Sequence, residues 1–402
     1  MKKQNENELD DLENAILKKQ LHMMRNDLYY KRIDARSTFL IDLLYHPIST
    51  VGSDAYSIRV PKQNKILYLL IDAERSGIVS SLTTISLVCG INYIIDTLVK
   101  NKSFSLDLLL QKVVELIGTV LLDEESVSMG VVLLDTKTLH MEYANFALPP
   151  FLLEDDAGDV VKLPANNPSL DRRTKKYSID NVDVKKKYKF FFCTDGIFKS
   201  ETKEGSPYES GIEDDFANSF TKEELKERIL GKFSLEDDFT FILVTKIELD
   251  EKTLLYEREF ETSLSVVDEA NEWYRKMCGS KCSDVAFNEL FMNAYEHGNL
   301  GIGSEEKHEL LQNDLYFERL LTLEKQCDKK IIVRIYKITT KTSQYFVTQI
   351  EDEGKGFDTG ILSGIFRNVK KFNGRGVFVS KNNSMGIYYN SKGNSVLFLS
   401  RV

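Results

Sequence analysis

Residues 248–252, acidic and turn-like, separate two different alternations of strand-like and helix-like segments, and this change of pattern constrains the fold most. A chain of 402 residues is also longer than one ordinary core accommodates, so two globular units are expected. Before the joint, the apolar run 66–71 reads as a buried strand and 78–122 as two long helices broken near Lys102. Further strands are expected at 127–134, 189–193 and 239–247. After the joint come a strand (254–260), a helix (264–277), a long helix (283–298), a helical insert (305–326) and strands at 330–338 and 344–350. A glycine-bracketed helix (374–383) and a last strand pair ending at Val402 complete the pattern. The fold class expected is α+β, multidomain.

The N-terminal stretch is a third element. Residues 5–42 contain neither Pro nor Gly, and Leu17, Leu21, Met24 and Leu28 recur at alternating spacings of four and three, as in a short coiled-coil seam. Leu9, Leu12 and Ile16 continue it one residue out of phase, and His46-Pro47 ends it. Two readings fit: a helix that dimerises the chain or relays a signal, and a helix that packs on its own domain. The expected division is a helical segment over 1–45, one domain over 46–248 and a second over 249–402, with a homodimer as the assembly.

An apolar fraction of 42% with 29% charged residues belongs to a globular chain, and a net charge of −9 argues against a duplex nucleic-acid binder, which needs cations to displace counterions. The basic stretch 166–189, with Arg172, Arg173, Lys175, Lys176, Lys185, Lys186 and Lys187, fits either a docking strip for an acidic partner or a solvated hairpin. Five cysteines without CxxC spacing point to reduced thiols, and Cys278 with Cys282 lacks a histidine to complete a metal site. No apolar run reads as the roughly 18 residues of a membrane span, so no membrane contact and a cytoplasmic location are expected.

Aspartates mark the first unit. They stand in Gly52-Ser53-Asp54-Ala55-Tyr56, in Ile71-Asp72-Ala73-Glu74-Arg75-Ser76-Gly77, in Thr194-Asp195-Gly196 and in Glu236-Asp237-Asp238-Phe239-Thr240. Asp72 and Asp195 directly follow apolar runs, where a buried strand emerges and its last side chain can reach a shared cleft. Carboxylates converging from separate strands suit hard divalent cations, and a pair of these about 3.5–4 Å apart can acidify a water that attacks phosphorus. Singly, each Asp before Gly is an ordinary turn.

In this order the four strings resemble the metal-dependent PPM phosphatases of the SpoIIE-like branch, over about residues 46–247. The resemblance implies an α/β-β/α sandwich, two Mn²⁺ or Mg²⁺ ions, Asp72 bridging both with the Ala73 carbonyl, Asp54 serving one ion, and Asp195 with Asp237 serving the other. The chain departs from that pattern at Ser53, where a second Gly is usual, and at Glu74-Arg75-Ser76, where the turn normally holds an interior Gly. Arg75 fits either a role in orienting the substrate phosphate or a solvent-facing position.

In the second unit Glu289, Asn293 and His297, spaced by four, share one face of a helix. Glycine-rich strings follow, Asp352-Glu353-Gly354-Lys355-Gly356 and Gly374-Arg375-Gly376, of the kind that lets backbone approach phosphate. With Phe287-Asn288-Glu289 through His297-Gly298, they resemble the three boxes of GHKL ATPases over about 254–402, nearest the anti-sigma-factor serine kinases. That resemblance implies an α/β sandwich binding Mg-ATP, with Glu289 as general base, Asn293 on Mg²⁺, Asp352 on the adenine amine, and Gly354, Gly356, Gly374 and Gly376 at the lid and phosphates.

Together the two resemblances imply a bacterial partner-switching regulator. Its first half would dephosphorylate Ser or Thr of a STAS-type anti-sigma-factor antagonist, and its second half would phosphorylate that antagonist or hold a sigma factor. A different class, a pseudophosphatase with an ATP-dependent sequestering module, uses the same strings. A sensor histidine kinase is a third reading; its phosphorylatable residue would be His22, whose neighbours Leu21, Met23 and Met24 include no acidic group.

Overall fold

The computed structural model describes residues 15–402 except 50, 75–76, 199–207, 209–210, 233–235, 280–281, 342, 360–361 and 363–383. Two compact units result: Met1–Asp27 with Ile41–Thr245, and Leu28–Leu40 with Lys246–Val402. The second boundary falls close to the expected joint. The first does not, because the helix expected over 1–45 is helical only over 15–23 (α1) among the described residues. Strands β1 (Arg25–Asn26), β2 (Tyr30–Arg32) and β3 (Ser37–His46) follow it. The Asp34 carboxylate accepts from the Arg36 and Ser37 amides at 2.7 Å each, a turn that reverses the chain between β2 and β3. Met24 and Leu28, the end of the apparent seam, are buried within the chain instead.

The first unit is two sheets face to face. One has the order β1-β4-β5-β6-β7-β11, with β4 (Asp54–Lys62), β5 (Lys65–Ala73), β6 (Ser126–Asp135), β7 (His140–Phe146) and β11 (Asp180–Asp183), and with β10 (Leu170–Asp171) beside β6. The other runs β3-β13-β12-β8-β9, with β8 (Phe151–Asp155), β9 (Val160–Leu163), β12 (Lys187–Cys193) and β13 (Phe239–Glu248). Tyr68 of β5 meets Phe192 of β12 at 5.7 Å between ring centroids, and Phe151 meets Phe192 at 5.0 Å, so aromatic rings fill the space between sheets. The apolar run in β5 is buried on both its faces, as a strand covered on one side by helices and on the other by a sheet must be.

Helices α2 (Ile78–Lys100) and α3 (Leu106–Val120) cover the first sheet. They part where expected: Lys102 takes a positive φ of 55°, and the Ser105 side chain caps α3 by accepting from the Leu108 amide. Against the expectation that no apolar run reaches the length of a membrane span, α2 is, among the described residues, a helix long and apolar enough, by length and composition, to cross a membrane. Here half of its most apolar window is buried, along β4 and β5. Helices α4 (Ile212–Ala217) and α5 (Lys222–Lys232) back the second sheet through Phe216, Leu225 and Ile229 on Phe191, Phe241 and Leu243. The basic stretch is mostly solvated, and Lys189 at its edge is buried against Glu154 at 2.5 Å.

The second unit holds an antiparallel sheet of order β14-β15-β16-β18-β17: β14 (Leu254–Glu261), β15 (Lys330–Thr339), β16 (Gln344–Asp352), β17 (Gly386–Tyr389) and β18 (Ser395–Arg401). Helices α6 (Leu264–Cys278) and α7 (Asp284–Asn293) pack on it through aromatic rings, Tyr274 stacking on Phe287 at 4.1 Å and Phe260 meeting Phe291 edge-on at 5.5 Å. The long helix expected over 283–298 is α7 only to Asn293; Ala294–Asn299 continues as a π-helical turn. That widened turn brings Glu296 into the interior, where Lys307 of α8 (Ser304–Gln312) and the Tyr316 hydroxyl of α9 (Tyr316–Glu324) bind its carboxylate. The helical insert is thereby tied to the helix that carries Glu289 and Asn293.

Candidate functional site

Asp54 opens β4 and Asp72 closes the facing run of β5, and the two are direct cross-strand partners. Opposed residues point to one face of a sheet with Cβ atoms roughly 4.5–5.5 Å apart, so register alone makes these carboxylates neighbours. Thr194, at the end of β12, joins the second sheet to the pair: its hydroxyl donates to Asp54 Oδ2 at 2.8 Å and accepts the Thr240 amide at 2.9 Å. Asp195 follows in a short 3-10 turn, Asp195–Ile197. Gly196 is required there, because a Cβ would lie 2.1 Å from the Asp238 carbonyl oxygen and 3.1 Å from that of Asp237. The turn bearing Asp195 thus packs on the backbone bearing Asp237.

Asp54 is the most buried of the four aspartates. It is 1% exposed, and its Oδ1 has no hydrogen-bond partner. Burial, reinforced by the charges of Asp238 and Asp237, pushes its carboxyl up to about 8, against the hydrogen bond from Thr194. A buried carboxyl with an orphaned oxygen among other carboxylates is chemically suited to a hard cation. Among the described residues, however, no three of His, Cys, Asp and Glu are gathered as a metal-holding cluster; Asp54 and Asp72 are paired by register, and the charge of Asp237 acts on Asp54.

Asp238, passed over in the sequence, is a structural anchor. Its Oδ1 accepts the Ile48 amide at 2.8 Å, and its Oδ2 accepts both the amide and the hydroxyl of Ser53, at 2.5 and 2.7 Å. Ser53, where the family pattern has Gly, therefore has a purpose: its side chain adds a bond that holds the loop before Asp54. The Ala73 amide donates to the Ser53 carbonyl at 3.3 Å, closing the loop onto β5. Arg75 and Ser76 lie outside the described residues.

In the second unit Glu289 and Asn293 lie one turn apart on α7, both partly exposed. His297 falls in the π-helical turn, exposed, with Nδ1 2.5 Å from the Ile302 carbonyl. Asp352 ends β16 beneath that turn. A Cβ on Gly298 would come within 2.5 Å of the Asp352 carboxyl, and one on Gly354 within 2.2 Å of the Gly298 carbonyl oxygen, so the two glycines let helix and strand end touch. The Gly354 amide donates to Asp352 Oδ1 at 2.8 Å. Burial still outweighs that bond and pushes the Asp352 carboxyl up to about 6. Asn299 ties the same point down, its side-chain Oδ1 accepting the Glu353 amide at 2.9 Å. Gly356 has φ +75° and passes so close to the Lys392 carbonyl that a Cβ would meet it at 1.8 Å. Gly374 and Gly376 lie outside the described residues.

Residues 76–246 match the family model of stage II sporulation protein E (SpoIIE). The match supports a SpoIIE-type PP2C phosphatase domain. It contains Asp195 and Asp237 and begins just after Asp54 and Asp72, which only the sheet register brings to the same place. A search of the curated proteins gave no match. Similar solved structures include the RsbU and RsbW domains of Rv1364c from Mycobacterium tuberculosis, at 13% identity and TM-score 0.48, covering 90% of this chain and 95% of that one. The SiaA-PP2C domain of Pseudomonas aeruginosa is similar at 17% identity and TM-score 0.48, over 62% of this chain and all (100%) of that one. The SpoIIE phosphatase domain with a regulatory fragment from Bacillus subtilis follows at 13% identity and TM-score 0.45, over 54% and 66% of the two chains. Likenesses this distant carry no functional argument, which rests instead on the family match and the aspartates.

Proposed function

We propose that the chain is a partner-switching regulator that dephosphorylates phosphoserine or phosphothreonine on a STAS-type anti-sigma-factor antagonist and carries a second, Mg-ATP-binding unit of GHKL type. The observation that carries the first half is Asp54: buried, orphaned at Oδ1, and paired by register with Asp72 just ahead of the SpoIIE-matched residues 76–246. Asp54, Asp72 with the Ala73 carbonyl, Asp195 and Asp237 would hold two Mn²⁺ or Mg²⁺ ions. Bound there, such ions activate water and neutralise charge on a phosphoryl group. The chain's own contribution is placement: Thr194 aims Asp54, Asp238 fixes the preceding loop, and Gly196 lets the two acidic turns meet.

For the second unit, the support is the close fit of Gly298, Asp352 and Gly354 beneath a helix that presents Glu289 and Asn293. Asp352 would receive the adenine amine, Asn293 would bind Mg²⁺ and Glu289 would take the proton of an attacking serine hydroxyl. That unit would phosphorylate the antagonist or hold a sigma factor, and phosphoryl transfer from ATP to the antagonist separates the two. Phosphate release from a phosphorylated antagonist with Mn²⁺, and ATP binding by calorimetry, test the two halves. Release that survives Asp72→Asn overturns the metal reading. ATP binding without any Mn²⁺-dependent release by the intact chain makes it a pseudophosphatase instead.

A further inference from the structure

Helix α1 lies outside the matched family region, yet one of its side chains reaches the loop that presents Asp54. Gln20 is wholly buried, and its Nε2 donates to the Gly52 carbonyl at 2.8 Å and to the Asp54 carbonyl at 3.3 Å. Both amide hydrogens go to the carbonyls of the residues on either side of Ser53, while its Oε1 has no hydrogen-bond partner. Ser53 itself is held by Asp238 and by the Ala73 amide. Three elements therefore hold three consecutive residues, 52–54, from which the Asp54 carboxylate projects toward Thr194.

The segment after α1 is anchored separately. Asn92 of α2 donates to the Met23 carbonyl at 2.9 Å, while its Oδ1 accepts from the Ser57 hydroxyl at 2.7 Å and from Arg59 at 2.9 Å. Asp27 accepts from Arg59 and from the Val60 amide, both at 3.0 Å. These bonds hold the end of α1 and β1 to β4 and α2 without touching residues 52–54. Docking of the helix and steering of Asp54 are thus carried by different side chains.

We infer that Gln20 is a positioning residue for the metal site, setting the backbone from which Asp54 projects; this rests on the metal reading of the aspartates. Gln20→Met keeps length and volume and removes both donors, and Asn92→Ala loosens the same segment elsewhere. The assay is Mn²⁺ binding to the full chain by calorimetry and electron paramagnetic resonance, followed by phosphatase kinetics at saturating and limiting Mn²⁺. Loss of hydrogen bonds to two buried carbonyls is expected to weaken Mn²⁺ binding about tenfold or more in Gln20→Met. KM for the phosphorylated substrate at saturating Mn²⁺ should hold, and Gln20→Asn, which keeps the amide on a shorter arm, should recover part of the loss. Asn92→Ala should lower the melting temperature with Mn²⁺ affinity unchanged. Wild-type Mn²⁺ affinity in Gln20→Met overturns the inference, and so does an equal loss in Asn92→Ala, which would make Gln20 ordinary packing. If the intact chain binds Mn²⁺ no better than Asp54→Asn, the metal reading itself fails, and the inference with it.

Discussion

Replacing Asp352 with Asn separates two properties of the second unit that ought to move in opposite directions. Asp352 is 8% exposed, and burial raises its carboxyl from an ordinary 3.8 to about 6. A folded-state pKa above the unfolded one means that folding takes up a proton: the protonated form is favoured, and stability falls as pH rises from about 4 to about 6 and then levels. At 1.36 kcal/mol for each pH step between about 4 and about 6, the upper bound is near 3 kcal/mol at neutral pH, and roughly 1–3 kcal/mol is the working range. Asn carries no such penalty and can still accept the Gly354 amide. Asp352→Asn should therefore stabilise this unit at pH 7.5, by roughly 1 kcal/mol more than at pH 5, while losing ATP affinity at least tenfold. Trp273, the single tryptophan, sits on α6 against Phe260 and reports unfolding of this unit alone in urea titrations at the two pH values. A pH-independent difference, or a variant less stable at pH 7.5, refutes the electrostatic argument; undiminished ATP binding refutes the adenine role.

Two further substitutions test the first unit. Gly196→Ala places a methyl group 2.1 Å from a backbone oxygen that no rotamer can relieve, so Mn²⁺ binding should weaken more than tenfold and stability fall by about 1–3 kcal/mol; calorimetry showing wild-type Mn²⁺ affinity would refute the pairing of the two acidic turns. Lys189→Met removes the cation beside Glu154, which is 0% exposed, and also orphans the Phe216 and Ser219 carbonyls that its ammonium binds at 2.7 and 3.1 Å. The expected loss is about 3–5 kcal/mol in denaturant titration, with much of it recovered when Glu154→Leu is added, and no recovery would mean that the pair is not the source of the loss.

Much of this architecture can be read from residue patterns, and the exceptions have definite causes. The run 66–71 is apolar throughout because β5 has no solvent face, and the aspartate at its end was visible for that reason. The segment after α1 was misjudged because Met24 and Leu28 fit a helical seam and a buried turn equally, and only the Asp34 turn and the pairing of Tyr30 with Leu40 decide between them. Neighbouring Asp237 and Asp238 look interchangeable in sequence. Their difference comes from Ser53, 185 residues away, which occupies Asp238. Gln20 follows two lysines, Lys18 and Lys19, and its residue type carries no signal of burial. The π-helical turn after Asn293 is equally silent, since a single widened turn leaves the spacing of Glu289 and Asn293 intact.

If both units act on one antagonist, joining them in a chain has a mechanical consequence. A partner held by either unit experiences the other at an effective concentration set by the short connection between β13 and β14, which spans only residues 249–253. Net phosphorylation then depends on the ratio of two intramolecular rates, and less on how much partner is present. Disabling one unit should drive the substrate to an extreme: with ATP and Mn²⁺ present, Asp72→Asn should leave the antagonist phosphorylated, and Asn293→Ala should leave it dephosphorylated. Phosphate-affinity gels over a tenfold range of antagonist concentration distinguish this from two independent activities, because an intramolecular balance holds its set point while independent enzymes drift as each saturates. Should Asn293→Ala leave the phosphorylation level of the intact protein unchanged, opposition on a shared substrate is excluded, and the second unit becomes a nucleotide-dependent clamp whose hold on its partner, and no phosphoryl transfer, is what ATP controls.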